Sequence, residues 1–240
     1  KPPANSERPK GLSEAADGLR NRLRRKANDR FSLRRRTTET DAYTYSYERA
    51  LQLMERRDVF DVSKEPGAMH ELYGKESFGQ HCLTARRLLE AGSTFVKLSH
   101  SNYDTHNENF NFHLEQVGEF DKGFGALIGD LDDRGMLDST MIVVMSEFGR
   151  TPKINKYYGR DHWGTAWSIC LGGGRIARGA LVGKTNANGT KVIDREVSFA
   201  DLFHTYLAGV GLDSHEPFDL GGRPVPMADP AFGPIDELIV

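Results

Sequence analysis

Cysteine is nearly absent: Cys82 and Cys170 are the only two in 240 residues. Two thiols are too few for a disulfide framework or a four-thiolate metal site, and neither stands in a redox C-x-x-C. Each reads as a small buried apolar side chain. Long apolar runs are missing as well. No stretch approaches the roughly 18 to 20 residues that cross a bilayer, which excludes a membrane-spanning helix. A strong net charge is lacking, since 32 Lys and Arg stand against 34 Asp and Glu for a formal charge of -2. The chain as a whole is therefore not drawn to DNA, RNA or anionic lipid. There is no Cys/His finger and no glycine-rich nucleic-acid loop, so no nucleic-acid partner is expected. The segment LGGGRIARG has neither the Walker lysine with Ser/Thr nor the spacing G-x-G-x-x-G, and Gly172, Gly173 and Gly174 read as a tight turn. No charged, apolar and small-residue leader opens the sequence.

What is present is uneven. Residues 1–40 hold twelve basic and five acidic side chains, a net +7, and residues 41–240 carry a net -9. The basic part contains Arg20, Arg22, Arg24, Arg25, Lys26, Arg30, Arg34, Arg35 and Arg36 among few large apolar residues. It is expected to be a peripheral or flexible arm. A short helix over 13–27 is expected in it, capped by Ser13, packed on the body of the chain or on an acidic partner.

Residues 41–240 read as an α/β domain. Helices are expected over 46–57, over 76–92 with Cys82, Ala85, Leu88 and Leu89 on one stripe, and over 110–134. In the last of these, Leu114, Val117, Phe120, Phe124, Leu127, Ile128 and Leu131 recur at helical spacing and predict one inward face. A further helix over 198–208 has Ser198 as its cap. Strands are expected at TFVKLSH (94–100), at TMIVVMS (140–146), buried on both faces, and in TAWSICLGGG (165–174). The last 28 residues, rich in proline and glycine, should follow the surface as loop.

In open α/β sheets, functional groups gather where loops leave the carboxyl ends of strands. Three polar clusters take such places: SHSNYDTHNEN (99–109), SEFGRTP (146–152) and GRDHW (159–163). Asp104 and His106, two residues apart, can turn a carboxylate oxygen and an imidazole nitrogen toward one cation, with Glu147, Asp161 and His162 completing the shell. Mixed oxygen and nitrogen donors favour zinc or manganese over calcium, one or two ions. The alternative for each pair is an ordinary loop role, with Asp161 capping a turn and His162 hydrogen-bonded nearby. Arg150 and Arg160 offer planar forks of donors to sulfate, phosphate or carboxylate, in competition with ion pairs to Glu147 or Asp161. His100 and His113 read as structural, as do His70, His81, His204 and His215.

Taken in order, the string from Met69 to Asn109 ending in YDTHNEN, then DLDDRGMLDSTMIVVMSEFGRTP, then GRDHWGTAWSICLGGGRIARG resemble the DUF1501 family of sulfatase-like bacterial proteins, over about Tyr47 to Leu212. The resemblance implies a three-layer α/β/α sandwich like that of alkaline phosphatase, with divalent metals at the strand ends. It implies Asp104, His106, Glu147, Asp161 and His162 as metal ligands, and Arg150 or Arg160 as catalytic groups that stabilise a transferring sulfuryl or phosphoryl group. Small sulfate or phosphate esters would be the substrates, and a noncatalytic binding member of the same fold is the alternative. A periplasmic or secreted location follows from the resemblance, with the cytoplasm as the alternative. The oligomeric state is left open. The superfamily's nucleophile, with an early glycine-rich strand, is expected to precede Lys1, and neither cysteine stands in the sulfatase pattern C-x-P-x-R.

Overall fold

The computed structural model describes residues 3–4, 6–33 and 38–240. Arg34, Arg35 and Arg36 of the basic cluster lie outside the described residues. The chain divides into two compact units, Lys1–Leu98 and Ser99–Val240. That division falls well beyond residue 40, where the charge composition changes.

The first unit is helical. Helix α1 (Glu14–Ser32) begins where Ser13 Oγ accepts from the Ala16 N–H at 3.2 Å, and it carries Glu14 and Asp17 in its first turn and Arg30 in its last, each matched to the helix dipole. It runs a turn beyond the expected helix. Helix α2 (Thr38–Glu55) also starts earlier than expected. The basic residues of α1 find an acidic partner within the chain. Arg25 donates to both oxygens of Glu48, at 3.1 and 2.8 Å, Arg24 donates to the same carboxylate, and Asn28 Nδ2 donates to Thr44 Oγ1 at 2.9 Å. Pro66 stands just before a short helix α3 (Gly67–Tyr73), a place where its missing N–H costs no intrahelical bond.

Helix α4 (Ser77–Glu90) packs closely on α3. A Cβ on Gly79 would stand 1.9 Å from the Tyr73 carbonyl oxygen, so only glycine fits that crossing. Tyr73, Phe78, Cys82, Leu83 and Ala85 form the core of this unit. Arg86, its side chain 2% exposed, is held by Glu65 at 2.5 Å and Glu90 at 2.6 Å. Arg87 also pairs with Glu65 and donates to the carbonyls of Val59 and Asp58.

TFVKLSH forms no strand, and Phe95 is exposed. Apolar and β-branched composition favours extended backbone, but a strand also needs a neighbouring strand for its N–H and C=O groups, and among the described residues no strand is laid beside this segment.

The second unit contains helix α5 (Asn109–Asp133), strands β1 (Ile142–Val144), β2 (Gly149–Arg150), β3 (His162–Trp163), β4 (Cys170–Gly172), β5 (Lys184–Thr185) and β6 (Val192–Asp194), helix α6 (Phe199–Gly209), and strands β7 (Pro217–Asp219) and β8 (Pro224–Pro226). Among the described residues the strands pair only two by two and antiparallel: β1 with β4, β2 with β3, β5 with β6 and β7 with β8. The arrangement mixes helices with small sheets and is α/β in the general sense. The 140–146 run is a three-residue strand and is not buried on both faces, with Val143 38% and Met145 52% exposed. It has a single neighbour, and an apolar run is fully covered only when layers lie on both sides.

Helix α5 matches its expected limits, but its apolar stripe is buried only in the second half, at Gly123, Ala126, Leu127 and Leu131. Leu114, 83% exposed, and Val117 were expected to face inward and do not. Helical spacing gives a face its direction and does not supply what covers it. Cys82 is buried as expected, whereas Cys170, at the start of β4 in the two-stranded β1–β4 sheet, is exposed. Helix α6 follows the expectation closely, with a capping box between Ser198 and Asp201 and with Leu202, His204 and Thr205 buried. His204 is structural, its ring nitrogens lying 2.6 Å from Ser214 Oγ and 2.8 Å from the Asp229 carbonyl. The glycine turn is also as expected. Gly173 has a φ of 63°, and a Cβ there would meet the Thr140 carbonyl oxygen at 2.1 Å. No described helix is long and apolar enough to cross a membrane.

Candidate metal centre

The site is built on the two-residue pair β2–β3 and two loops that lean on it. Arg150 lies directly opposite His162 in the pair, and Gly149 opposite Trp163. Gly149 permits the approach, since a Cβ there would come within 2.8 Å of the Ala166 carbonyl oxygen. The loop that carries Asp104 and His106 is tied to the 155–161 loop through its backbone. Arg160 N–H donates to the Thr105 carbonyl at 3.0 Å, and Glu108 and Asn109 N–H donate to the carbonyls of Tyr157 and Tyr158 at 3.1 and 3.0 Å. Gly159 sits at the closest point, where a Cβ would fall 1.9 Å from the His106 carbonyl carbon and oxygen. Inside the first loop, buried Thr105 donates to Asn109 Oδ1 at 2.8 Å.

These ties bring three of the expected ligands together. Asp104 Oδ1 lies 3.0 Å from His106 Nε2 and 3.0 Å from His162 Nε2. One donor atom from each of the three residues falls within 4.8 Å of the other two, and all three side chains are exposed. Two donors bound to one zinc ion at about 2.0 to 2.1 Å in tetrahedral geometry stand roughly 3.3 Å apart, so the cluster is close to the size such an ion requires. Two imidazoles and one carboxylate also match the three-ligand sets that leave a fourth position open. They do not match the six to eight oxygens that calcium takes.

Asp161 stands behind this group. Its Oδ1 is 3.0 Å from His106 Nδ1 and accepts from Asn155 Nδ2 at 3.1 Å. A neutral His106 whose proton sits on Nδ1 donates it to Asp161 and leaves the Nε2 lone pair facing Asp104. This is the carboxylate–histidine arrangement that orients metal-binding imidazoles. Asp161 thus meets His106 from the side away from Asp104 and lies outside the group of three that the sequence suggested it would join. Glu147 is exposed and lies outside the cluster formed by Asp104, His106 and His162. The chain bends right after it, with Ser146 Oγ donating to the Phe148 carbonyl, and Phe148 packs its ring 4.4 Å from that of His162.

The two arginines have different positions. Arg150 Nη2 donates to Asp104 Oδ1 at 2.5 Å, so its carboxylate partner is neither Glu147 nor Asp161. Arg160 Nη1 donates to the carbonyls of Thr151 and Pro152, both at 2.7 Å, and braces the loop. The Arg150 hydrogen bond and, after it, the bond from His162 hold the Asp104 carboxyl down at about 2. Bonds from His106 and then Asn155 lower that of Asp161.

Asn155 is the residue the sequence did not single out. Its Oδ1 accepts from the N–H groups of Tyr157 and Gly159 at 2.9 and 3.0 Å, while Nδ2 donates to the His106 carbonyl at 2.9 Å. An asparagine two and four residues ahead of a turn that ends in glycine is a legible signal of this kind. His100 and His113 stay outside the cluster, with their Nδ1 atoms 2.9 Å from Tyr103 Oη and 2.8 Å from the Asn109 carbonyl.

The residues that build this site lie inside a match to one protein family, described as a protein of unknown function (DUF1501), which covers residues 1–239. The chain belongs to the DUF1501 family. No curated protein and no solved structure matches it. The DUF1501 match takes in the basic amino-terminal helix as well as the loops of the site, and so extends past the 47–212 span of the recognised motifs.

Proposed function

We propose that this DUF1501 protein is a sulfatase- or phosphatase-like hydrolase of sulfate or phosphate esters, related to the alkaline phosphatase superfamily and its three-layer sandwich. It would use a divalent ion, zinc or manganese, held by Asp104, His106 and His162. The observation that carries the proposal is the convergence of those three donors, with Asp161 and Asn155 fixing one of them from behind. When bound, such an ion would lower the pKa of a coordinated water and polarise an ester oxygen. Asp161 would keep His106 in its ligating orientation, and Arg150, next to the donors, would stabilise the charge developing on the transferring sulfuryl or phosphoryl group. The nucleophile would be a hydroxyl or a water activated by the ion.

Arylsulfate and arylphosphate turnover by zinc- and manganese-loaded protein is the test. Hydrolysis of either ester that disappears on His162→Ala supports the hydrolase; metal binding with no turnover of either removes it. A second proposal, a noncatalytic metal- or ligand-binding member of the family, draws on one specific observation: Asp104 is already neutralised by Arg150 within the protein.

A further inference from the structure

We propose that Arg150 is a displaceable stand-in for a cation, so that a divalent ion and a tetrahedral oxyanion bind this site in order, the metal first. The inference rests on the metal-centre proposal above and adds how the site is regulated. The Asp104 oxygen that faces both imidazoles, Oδ1, is also the one that accepts the Arg150 hydrogen bond. Both demands fall on a single oxygen atom. Ligation at about 2 Å by a doubly charged ion and a 2.5 Å bond to a guanidinium at that atom compete.

Arg150 is well placed to yield. Its backbone is fixed in β2 opposite His162, so a released side chain stays within reach of the site. The other end of its fork is weakly held, with Nη1 3.3 Å from the Arg160 carbonyl. Without metal, Arg150 Nη2 is engaged by Asp104, and Arg160 is turned to the loop, with Nη1 donating to two of its carbonyls. With Asp104 engaged by a metal ion, the Arg150 fork is released and the local charge becomes more positive. Each change favours a dianionic tetrahedral group such as sulfate, phosphate or the terminus of a monoester. Coupling of this kind is reciprocal, so the oxyanion also tightens the metal.

The alternative role for Arg150 is simply to hold Asp104 in place for the ion. The two roles predict opposite signs for one variant. Titration calorimetry on the full chain, with zinc alone, sulfate alone and sulfate added to zinc-loaded protein, distinguishes them. Wild-type protein is expected to bind zinc and to bind sulfate only when zinc is present. Arg150→Gln is expected to bind zinc about two- to fivefold more tightly, the equilibrium weight of an exposed ion pair, and to lose at least about tenfold in sulfate affinity. Arg150→Lys, which keeps the charge and loses the fork, should retain part of the sulfate affinity. Weaker zinc binding by Arg150→Gln, or equal sulfate binding with and without zinc, overturns the displacement. Failure of the wild-type chain to bind zinc overturns the metal centre itself, a separate result.

Discussion

Gly159→Ala adds one methyl group at the point where the two loops of the site meet, and the structure gives the size of the disturbance. The new Cβ would stand 1.9 Å from the carbonyl carbon and oxygen of His106 and 2.3 Å from the Asn107 nitrogen, all of them backbone atoms. Ordinary contact begins near 3.4 Å, so the loops must part by about 1.5 Å. Metal–ligand distances tolerate only about 0.2 Å, and the loop that moves carries His106 and Asp104. Overpacking of this kind costs about 1 to 3 kcal/mol, which a folded unit can survive. The variant is therefore expected to keep its far-UV circular dichroism and lose zinc affinity by at least about a hundredfold, since loss of orientation alone weakens metal sites about 10- to 100-fold. Zinc titration and a thermal melt on the same sample measure the two effects. A Gly159→Ala protein that binds zinc as the wild type does would refute the role given to this contact.

Asp161→Asn removes the carboxylate behind His106 and should weaken zinc binding about 10- to 100-fold with no change in fold, measured by competition with a chelating dye. An unchanged affinity would return Asp161 to an ordinary loop role. The Asp104 carboxyl, held at about 2 against an ordinary 3.8, contributes its pairings above the ordinary value and loses them as pH falls through about 2. A carboxyl-detected NMR titration should find Asp104 still ionised at pH 3 in metal-free protein; a midpoint at or above 3.8 contradicts the Arg150 bond. Glu65→Ala removes a nearly buried carboxylate from the buried Arg86 and should destabilise the first unit by about 3 kcal/mol in urea unfolding, whereas a loss under about 1 kcal/mol would mean that the partners Arg86 keeps, Glu90 among them, suffice.

Local signals in the sequence carried over well. Ser13 and Ser198 sit next to apolar periodicity and cap α1 and α6, and Gly173 turns the chain with a positive φ. These features depend on residues within a few positions of each other. What depends on a distant neighbour did not carry over. Val143 and Met145 read as buried, yet they lie in a strand with one partner, and Leu114 starts a helical face that the described residues leave open. The site divides in the same way. The pairing of Asp104 with His106 is visible as a two-residue spacing, but the choice of His162 over Glu147 as third donor follows from the β2–β3 register. That register, Arg150 opposite His162, also decides that Arg150 meets Asp104.

The most direct measurement is the metal content of purified chain after exposure to zinc and to manganese, followed by removal of free ion, alongside Asp104→Ala and His162→Ala. A stoichiometric ion in the wild type that both variants lose is the predicted result. A wild-type chain that retains neither metal, or variants that retain as much as the wild type, would contradict the assignment of Asp104, His106 and His162 as a metal centre.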